Sequence, residues 1–281
     1  MLQVRSSSII RTVFIYALLI ISSVWFVLPL VWMLSTSLKT EIQLVSRPLS
    51  LLPAPFIWTN YIDAVRTIPF LTYAKNTLMV SVLSVIGQVL VSSFVAYGFA
   101  RVEWPGRDVA FMIVISTMML PPQVTMIPLY TIYRKLGLVN TLTPLWIESF
   151  FGHAFNVFLL RQFFRTIPME LSEAARIDGC SELGIYARVI MPLCKPALAT
   201  VALFDFLFNW SDFQRPLIYL QEETKYTLSL GLQAFGGNYS RTLDPSLLMA
   251  AATIMIAPAI LLFFFTQKTF IEGIAVTGLK G

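Results

Sequence analysis

The chain has 281 residues, of which 57% are hydrophobic and only 12% charged, with a mean hydropathy of +0.74. A soluble domain carries about 25% charged residues, so this composition leaves too little polar surface for a water-facing globule and excludes one. The net charge of +5 is ordinary for a membrane protein and gives no argument for a nucleic-acid partner.

Lipid is the solvent that remains, and roughly 20 apolar residues at 1.5 Å each cross its ~30 Å hydrocarbon core. Gaps in the charge pattern mark the spans, and they predict an all-α polytopic fold of six transmembrane helices in one domain over residues 1–281. The first helix is expected over 13–37, between Arg11 and Lys39. Its apolar run exceeds the ~7–15 residues of a signal-peptide core, so it reads as retained. Pro48, Pro53 and Pro55 break the external stretch that follows. The second helix is expected over 76–100, where Ser81, Ser84, Gly87, Ser92, Ser93 and Gly98 are the small residues that let helices approach closely in lipid. The turn Trp104-Pro105-Gly106-Arg107 leads to a third helix over 109–133. Pro121-Pro122 interrupts it, because proline lacks a donor and kinks a helix. A packing kink and a bend in a gate around Pro121, Pro122 and Gln123 are both open at this point. The fourth helix, over 142–164, contains His153, the single histidine, which reads as a packing residue.

Residues 166–196, TIPMELSEAARIDGCSELGIYARVIMPLCKP, are too polar to cross and too long for a simple turn. Thr166 is placed to cap a helix, with Glu170 and Glu173 near its positive end. Asp178-Gly179 should stop that helix, Ser181 should cap a second one and Pro192 should end it. Ala174 and Ala175 would give a flat surface suited to another protein's groove. Cys180 and Cys194 show no metal-ligand spacing and read as free thiols.

The fifth helix, over 196–220, is the polar one. Asp205, Asn209, Trp210 and Asp212 lie along it, and polar groups inside a span usually face a cavity or a partner. An aromatic ring beside hydrogen-bonding groups is a plausible surface for a sugar, so these four are candidate pathway residues; bonding between neighbouring helices is the competing role. The sixth helix is expected over 245–267. With the N-terminus in the cytoplasm, eleven Lys and Arg fall inside and nine outside, a weak bias under the positive-inside rule. No nucleophile–base constellation and no phosphate-cradling Gly-rich loop stand out, so the chain is read as no enzyme, with no cofactor of its own.

Glu173-Ala174-Ala175, Asp178-Gly179 and Ile190-Met191-Pro192 closely resemble the EAA coupling loop of permease subunits of ABC importers. Trp58-Thr59-Asn60-Tyr61 with Asn76, Tyr97 to Arg101, Leu136 to Thr141 and Gly278 to Gly281 are similar to the carbohydrate branch, in particular the smaller six-helix permease of the maltose-transporter type. The resemblance implies a sugar (or polyol or glycerol-phosphate) permease in a bacterial or archaeal inner membrane, with both termini cytoplasmic. It implies that Glu173, Ala174, Ala175, Asp178, Gly179 and Pro192 couple the chain to ATPase subunits. It further implies two such ATPases binding ATP and Mg, a second permease of different sequence and a solute-binding protein. An ion-coupled secondary transporter is the alternative, though the chain lacks the paired repeats common in that class.

Overall fold

The structure, a computed structural model, describes residues 3–235 and 244–278, with side chains over 11–233 and 244–267. The described residues are helical and contain no strand. Residues 1–68 with 232–256 form one compact unit, and 69–231 with 257–281 form another.

The first unit opens with α1 (Gln3–Ser37), whose side chains from Val13 to Leu28 are largely exposed within the chain, as on a helix that faces lipid or a partner. A short helix, α2 (Glu41–Ser46), starts in a capping box: Thr40 Oγ1 accepts the Gln43 N–H and the Gln43 side chain accepts the Thr40 N–H, both at 3.2 Å. The next, α3 (Thr59–Thr67), is tied back by Asn60, which donates to the carbonyls of Ser37 and Lys39 at 2.9 Å each.

The second unit is built on α4 (Phe70–Arg101), 32 residues long and so about 48 Å at 1.5 Å per residue. Thr77, Ser81, Ser84, Gln88 and Ser92 recur along one face and are at most 1% exposed. Gly87 lets the Phe150 ring lie where a Cβ would be only 2.5 Å away, whereas a Cβ at Gly98 would meet nothing within 4 Å. After α4 come α5 (Arg107–Ser116), α6 (Pro122–Lys135), α7 (Thr143–Ile147), α8 (Ala154–Thr166), α9 (Glu170–Ile177), α10 (Glu182–Ile185), α11 (Met191–Leu193), α12 (Lys195–Ser211) and α13 (Gln214–Tyr219), of which α8 and α12 pack most extensively against α4, with α7 and α5 beside them. Two further helices, α14 (Leu228–Phe235) and α15 (Pro245–Gly278), are divided between the units. The main core joins α4, α8, the 166–196 loop and α12 through Ala96, Tyr97, Phe99, Leu160, Phe164, Ile185, Ile190 and Val201.

Three described helices are long and apolar enough to cross a membrane: residues 11–37, 70–101 and 245–267. Two bent pairs also have the length and composition of spans, α5–α6 with a 97° bend and residues 182–193 with α12 at 80°. The continuous helix drawn from sequence over 142–164 is instead two pieces. A 3-10 turn at Glu148–Phe151 follows α7, then Gly152 takes φ +73°, and α8 restarts after the extended His153. The helix drawn over 196–220 ends at Ser211, where Asp212 turns extended and its carboxylate accepts the Arg215 N–H at 3.3 Å. Thr166 caps nothing; its hydroxyl donates to the Phe163 carbonyl, and α9 begins after Met169. Gly179, at φ +83°, ends α9: its N–H meets Arg176 O and the Cys180 N–H meets Ala175 O, the double closure of a Schellman stop. Pro192 does not end the second helix at once. The π-helical turn Tyr186–Ile190 widens before it, giving the ring room that an α-helical carbonyl four residues back would deny, and the break comes at Cys194. The final tail, Leu279–Gly281, lies outside the described residues.

Gly231 admits the fully buried Tyr73 ring so closely that an added Cβ would fall 2.2 Å from it. Gly231→Ala is expected to destabilise the protein by about 1–3 kcal/mol through overpacking, while Gly98→Ala is neutral or stabilising. Thermal melts of the detergent-purified variants check this; equal melting points would show that the ring yields freely.

Candidate functional site

Two places in the second unit gather the residues singled out from sequence. The first is the 166–196 loop. Glu173, Ala174, Asp178, Gly179 and Pro192 are exposed there, together with the apolar Leu171, Ile177 and Leu183. Ala175 differs from its expected surface role: it is 9% exposed and packs inward with Ile185 and Tyr186. The i, i+1 alanine pair straddles the helix edge, so one methyl faces out and the other in.

The groups that fix this loop were not singled out as site residues. Arg101, 2% exposed at the end of α4, donates to the carbonyls of Ile167 at 2.6 Å and Pro168 at 3.3 Å, just beyond α8. A cation there answers the unpaired carbonyls at a helix C-terminus. One turn earlier on α4, the Tyr97 hydroxyl donates to Glu182 Oε2 at 2.6 Å, and Arg176 of α9 donates to Glu182 Oε1 at 2.7 Å. The Arg176 bond, then the Tyr97 bond, hold the Glu182 carboxyl below the usual carboxylate range. The Ser93 and Tyr186 hydroxyls meet at 2.7 Å, and the Tyr186 ring stands edge-on to Tyr97 at 5.4 Å. Arg161 of α8 donates to the Phe99 carbonyl and lies 3.8 Å over the Phe111 ring. The sequence signal for Arg101 and Tyr97 is their place at the two ends of the 97–101 stretch that resembles the carbohydrate branch.

The second place lies where α12 ends. Asp205, Asn209 and Trp210 are 6%, 4% and 7% exposed. The Asn209 amide donates to the Asp205 carbonyl at 2.7 Å and carboxylate at 3.1 Å, and Asn209 Oδ1 accepts from Arg215 at 2.7 Å. Arg215 Nε meets Asp212 Oδ2 at 2.5 Å. Asp212 joins Pro122 and Gln123 of α6 in lining a recess of about 220 Å³, with Glu148, Phe208, Arg215 and Tyr219 among its other walls. Asp205 and Asn209 do not line it; they stand behind Arg215. Trp210 stacks on Phe206 at 5.3 Å, away from the lining. Pro121 is exposed at the bend. Sequence reasoning missed Arg215 and Glu148 as partners of these groups, because a lone charge beside a span does not report which side chain it meets.

At the opposite end of α4, Asn140 takes φ +61° and its Oδ1 accepts the N–H groups of Gln221 and Glu222 at 3.1 and 3.0 Å. Asn76 donates to the carbonyls of Thr224 and Tyr226 at 3.0 Å each. Lys225 and then Asn140 hold the Glu222 carboxyl low. Among the described residues no three His, Cys, Asp or Glu side chains cluster as a metal site.

Residues 88–275 match the family described as the inner membrane component of binding-protein-dependent transport systems. The chain is 33% identical over 258 residues to the arabinooligosaccharides transport system permease protein AraQ of Halalkalibacterium halodurans, covering 91% of each. It is 31% identical to the diacetylchitobiose uptake system permease protein NgcG of Streptomyces coelicolor, covering 90% of this chain and 84% of that one. In structure it is similar to a chain of a bacterial ABC transporter that imports the acidic polysaccharide alginate, with a TM-score of 0.84, 27% identity and coverage of 94% and 98%. The fold and these likenesses define a membrane permease subunit, not an enzyme. The chain belongs to the family of inner membrane components of binding-protein-dependent ABC importers, and ATP hydrolysis is the work of partner ATPases. The ion-coupled alternative is left without support.

Replacing Arg101 by Met would leave two carbonyls without their charged donor, worth about 1.5–3 kcal/mol per bond. Limited proteolysis of purified Arg101→Met is expected to cut within 166–196 several times faster than in wild type, with Arg101→Lys between. Equal rates would show that the loop is held by its apolar packing alone.

Proposed function

We propose that this chain is the smaller permease of an ATP-driven carbohydrate importer, and that the 166–196 loop is its coupling element. What carries the reading is one observation: an exposed, partly apolar helix face, Leu171 to Asp178, held to the end of a membrane-spanning helix by Arg101 and Tyr97. A surface fixed in this way passes a push on to the helices instead of absorbing it. Glu173, Ala174, Asp178 and Gly179 present the contact face, Ala175 seats it against the core, and Pro192 shapes the exit into α12. The curated relatives carry arabinooligosaccharides and diacetylchitobiose by name, and they support a carbohydrate as the solute.

In this reading the loop and both termini are cytoplasmic, and α7 with α8 make up the fourth of six spans. Two ATPase subunits bind ATP and Mg, a second permease of different sequence completes the pathway, and a solute-binding protein delivers from outside. Closure of the ATPases displaces α9, the helices rock as bodies, and access switches from one side to the other. The polar end of α12, with Asp205, Asn209, Trp210 and Asp212, borders the pathway, and the bend at Pro121, Pro122 and Gln123 is part of the gate. Broken helices are where transporters commonly place both functions.

The test is co-purification with the ATPase. In a Glu173→Lys, Gly179→Pro double variant the contact charge is reversed, and proline cannot adopt the positive φ at which Gly179 stands. The variant is expected to insert, stay monodisperse and lose at least about tenfold of the recovered ATPase, a loss of ~1.4 kcal/mol or more. Equal recovery from both proteins would remove the loop as the dock.

A further inference from the structure

Two interruptions of helix meet at one recess. One is the 97° bend before α6, and the other is the end of α12 at Ser211. Backbone that leaves the helical ladder at membrane depth is tolerated where it lines protein or a wet cavity, and the cavity here is the one walled by Gln123, Glu148, Phe208, Asp212, Arg215 and Tyr219. Its volume of about 220 Å³ falls below the roughly 300–1,000 Å³ of pockets that enclose drug-sized ligands, so it suits a single ring. Its chemistry also suits one: two aromatic faces for C–H groups, with planar amide, carboxylate and guanidinium groups for hydroxyls.

The charges decide which ring. Arg215 is the one basic residue among those lining the recess. Its charge is already met by Asp212 at 2.5 Å, and it gives a further N–H to Asn209 at 2.7 Å. Glu148 accepts from the Tyr133 hydroxyl at 3.0 Å, and no cation is paired with it among the ion pairs of the described residues. The walls therefore carry one positive and two negative charges. A carboxylate or phosphate entering the recess would meet Glu148 and find no uncommitted cation.

We infer that this recess holds one neutral, hydroxylated ring of the solute and turns away uronates and sugar phosphates. The inference rests on the carbohydrate-importer reading above and goes beyond it by naming the solute's charge and the side chains that sense it. Gln123 and Glu148 contact the ring directly. Arg215 uses the N–H groups left over from its two partners, and Asn209 with Asp205 behind it are positioning residues that hold the guanidinium in place.

The test uses the permease–ATPase complex in nanodiscs without the binding protein, so that selection by the binding protein does not intervene. Saturation-transfer NMR is recorded with neutral trisaccharides (arabinotriose, xylotriose and maltotriose), with trigalacturonate and with glycerol 3-phosphate. At least one neutral trisaccharide is expected to bind, and neither anion. Gln123→Ala and Glu148→Gln are expected to raise the neutral ligand's Kd about 3- to 10-fold each, the effect of losing or weakening one hydrogen bond. Gln123 is exposed, so its truncation leaves the fold intact. Glu148→Lys is expected to gain trigalacturonate binding. Anions binding as tightly as neutral sugars, no neutral sugar binding at all, or unchanged Kd in both variants would each overturn the inference. ATP-driven sugar uptake by the full importer in vesicles separates the two levels. If uptake persists while the variants bind normally, only the recess is wrong; if neither uptake nor ATPase assembly occurs, the importer reading itself falls.

Discussion

The buried guanidinium of Arg101 ties the 166–196 loop to the longest helix of the second unit. Removing such a charge from water costs several kcal/mol unless it is well paired. Here the carbonyls of Ile167 and Pro168 receive it, with the Met169 sulfur at 3.1 Å. Arginine is the cation suited to this place, because its planar fork reaches two acceptors and is more weakly hydrated than an ammonium. With Tyr97 on Glu182 and Ser93 on Tyr186, three side chains on successive turns of α4 hold the loop. At its other end the same helix holds the 221–228 strap through Asn76 and Thr77. Asn76 and Arg101 are separated by about 38 Å at 1.5 Å per residue, somewhat more than a ~30 Å hydrocarbon core. One helix thus registers the two ends of the unit against each other.

The second helix that joins the two candidate sites is α12. It leaves the loop through an 80° bend next to the π-helical turn and Pro192, and it ends against the polar recess. Kinks at prolines and π-turns concentrate deformation in a few residues and leave the helix between them stiff. Under the proposed coupling, motion at α9 would reach the recess as a tilt of α12, because hydrogen bonds join Asp205, Asn209 and Arg215 in one line. The carboxylate and amide first seen as candidate solute contacts serve better as this line, since both are buried behind the arginine that faces the cavity.

Composition and charge spacing located the apolar helices because the hydrophobic requirement of a span is local and summed over some 20 residues. The stop at Asp178-Gly179 was legible for a similar reason: a glycine after a short amphipathic run has few other uses. The break at Gly152 was not legible, since one glycine in an apolar stretch reads equally well as close packing, the role that Gly87 has against Phe150. The Arg101 bonds span 66 residues of sequence, and no periodicity reports a partner so distant. Arg215 was not legible for a different reason, since its partners are near in sequence. Its charge, seen alone, weakens the case for a span, and the structure gives it Asp212 three residues away and Asn209 six away. Ala175 shows the limit from the other side, because a motif fixes which residues matter without fixing which way each one faces.

Fold similarity and solute are separate questions for a permease. The alginate transporter chain shares this backbone closely enough for a TM-score of 0.84, and its solute is an acidic polymer. In the present chain the lining arginine is already neutralised by Asp212, and a second carboxylate, Glu148, faces the same recess. Freeing Arg215 for an anionic sugar would mean breaking a short, half-buried ion pair, which the solute would have to replace with a bond at least as strong. A neutral ring needs no such exchange. Its hydroxyls can use the spare acceptor positions of Glu148 and Asp212 and the donors of Gln123, leaving the Asp205–Asn209–Arg215 line undisturbed. On the proposed reading, the shared backbone would set how the helices rock, and a few charges at the end of α12 would set what can sit between them.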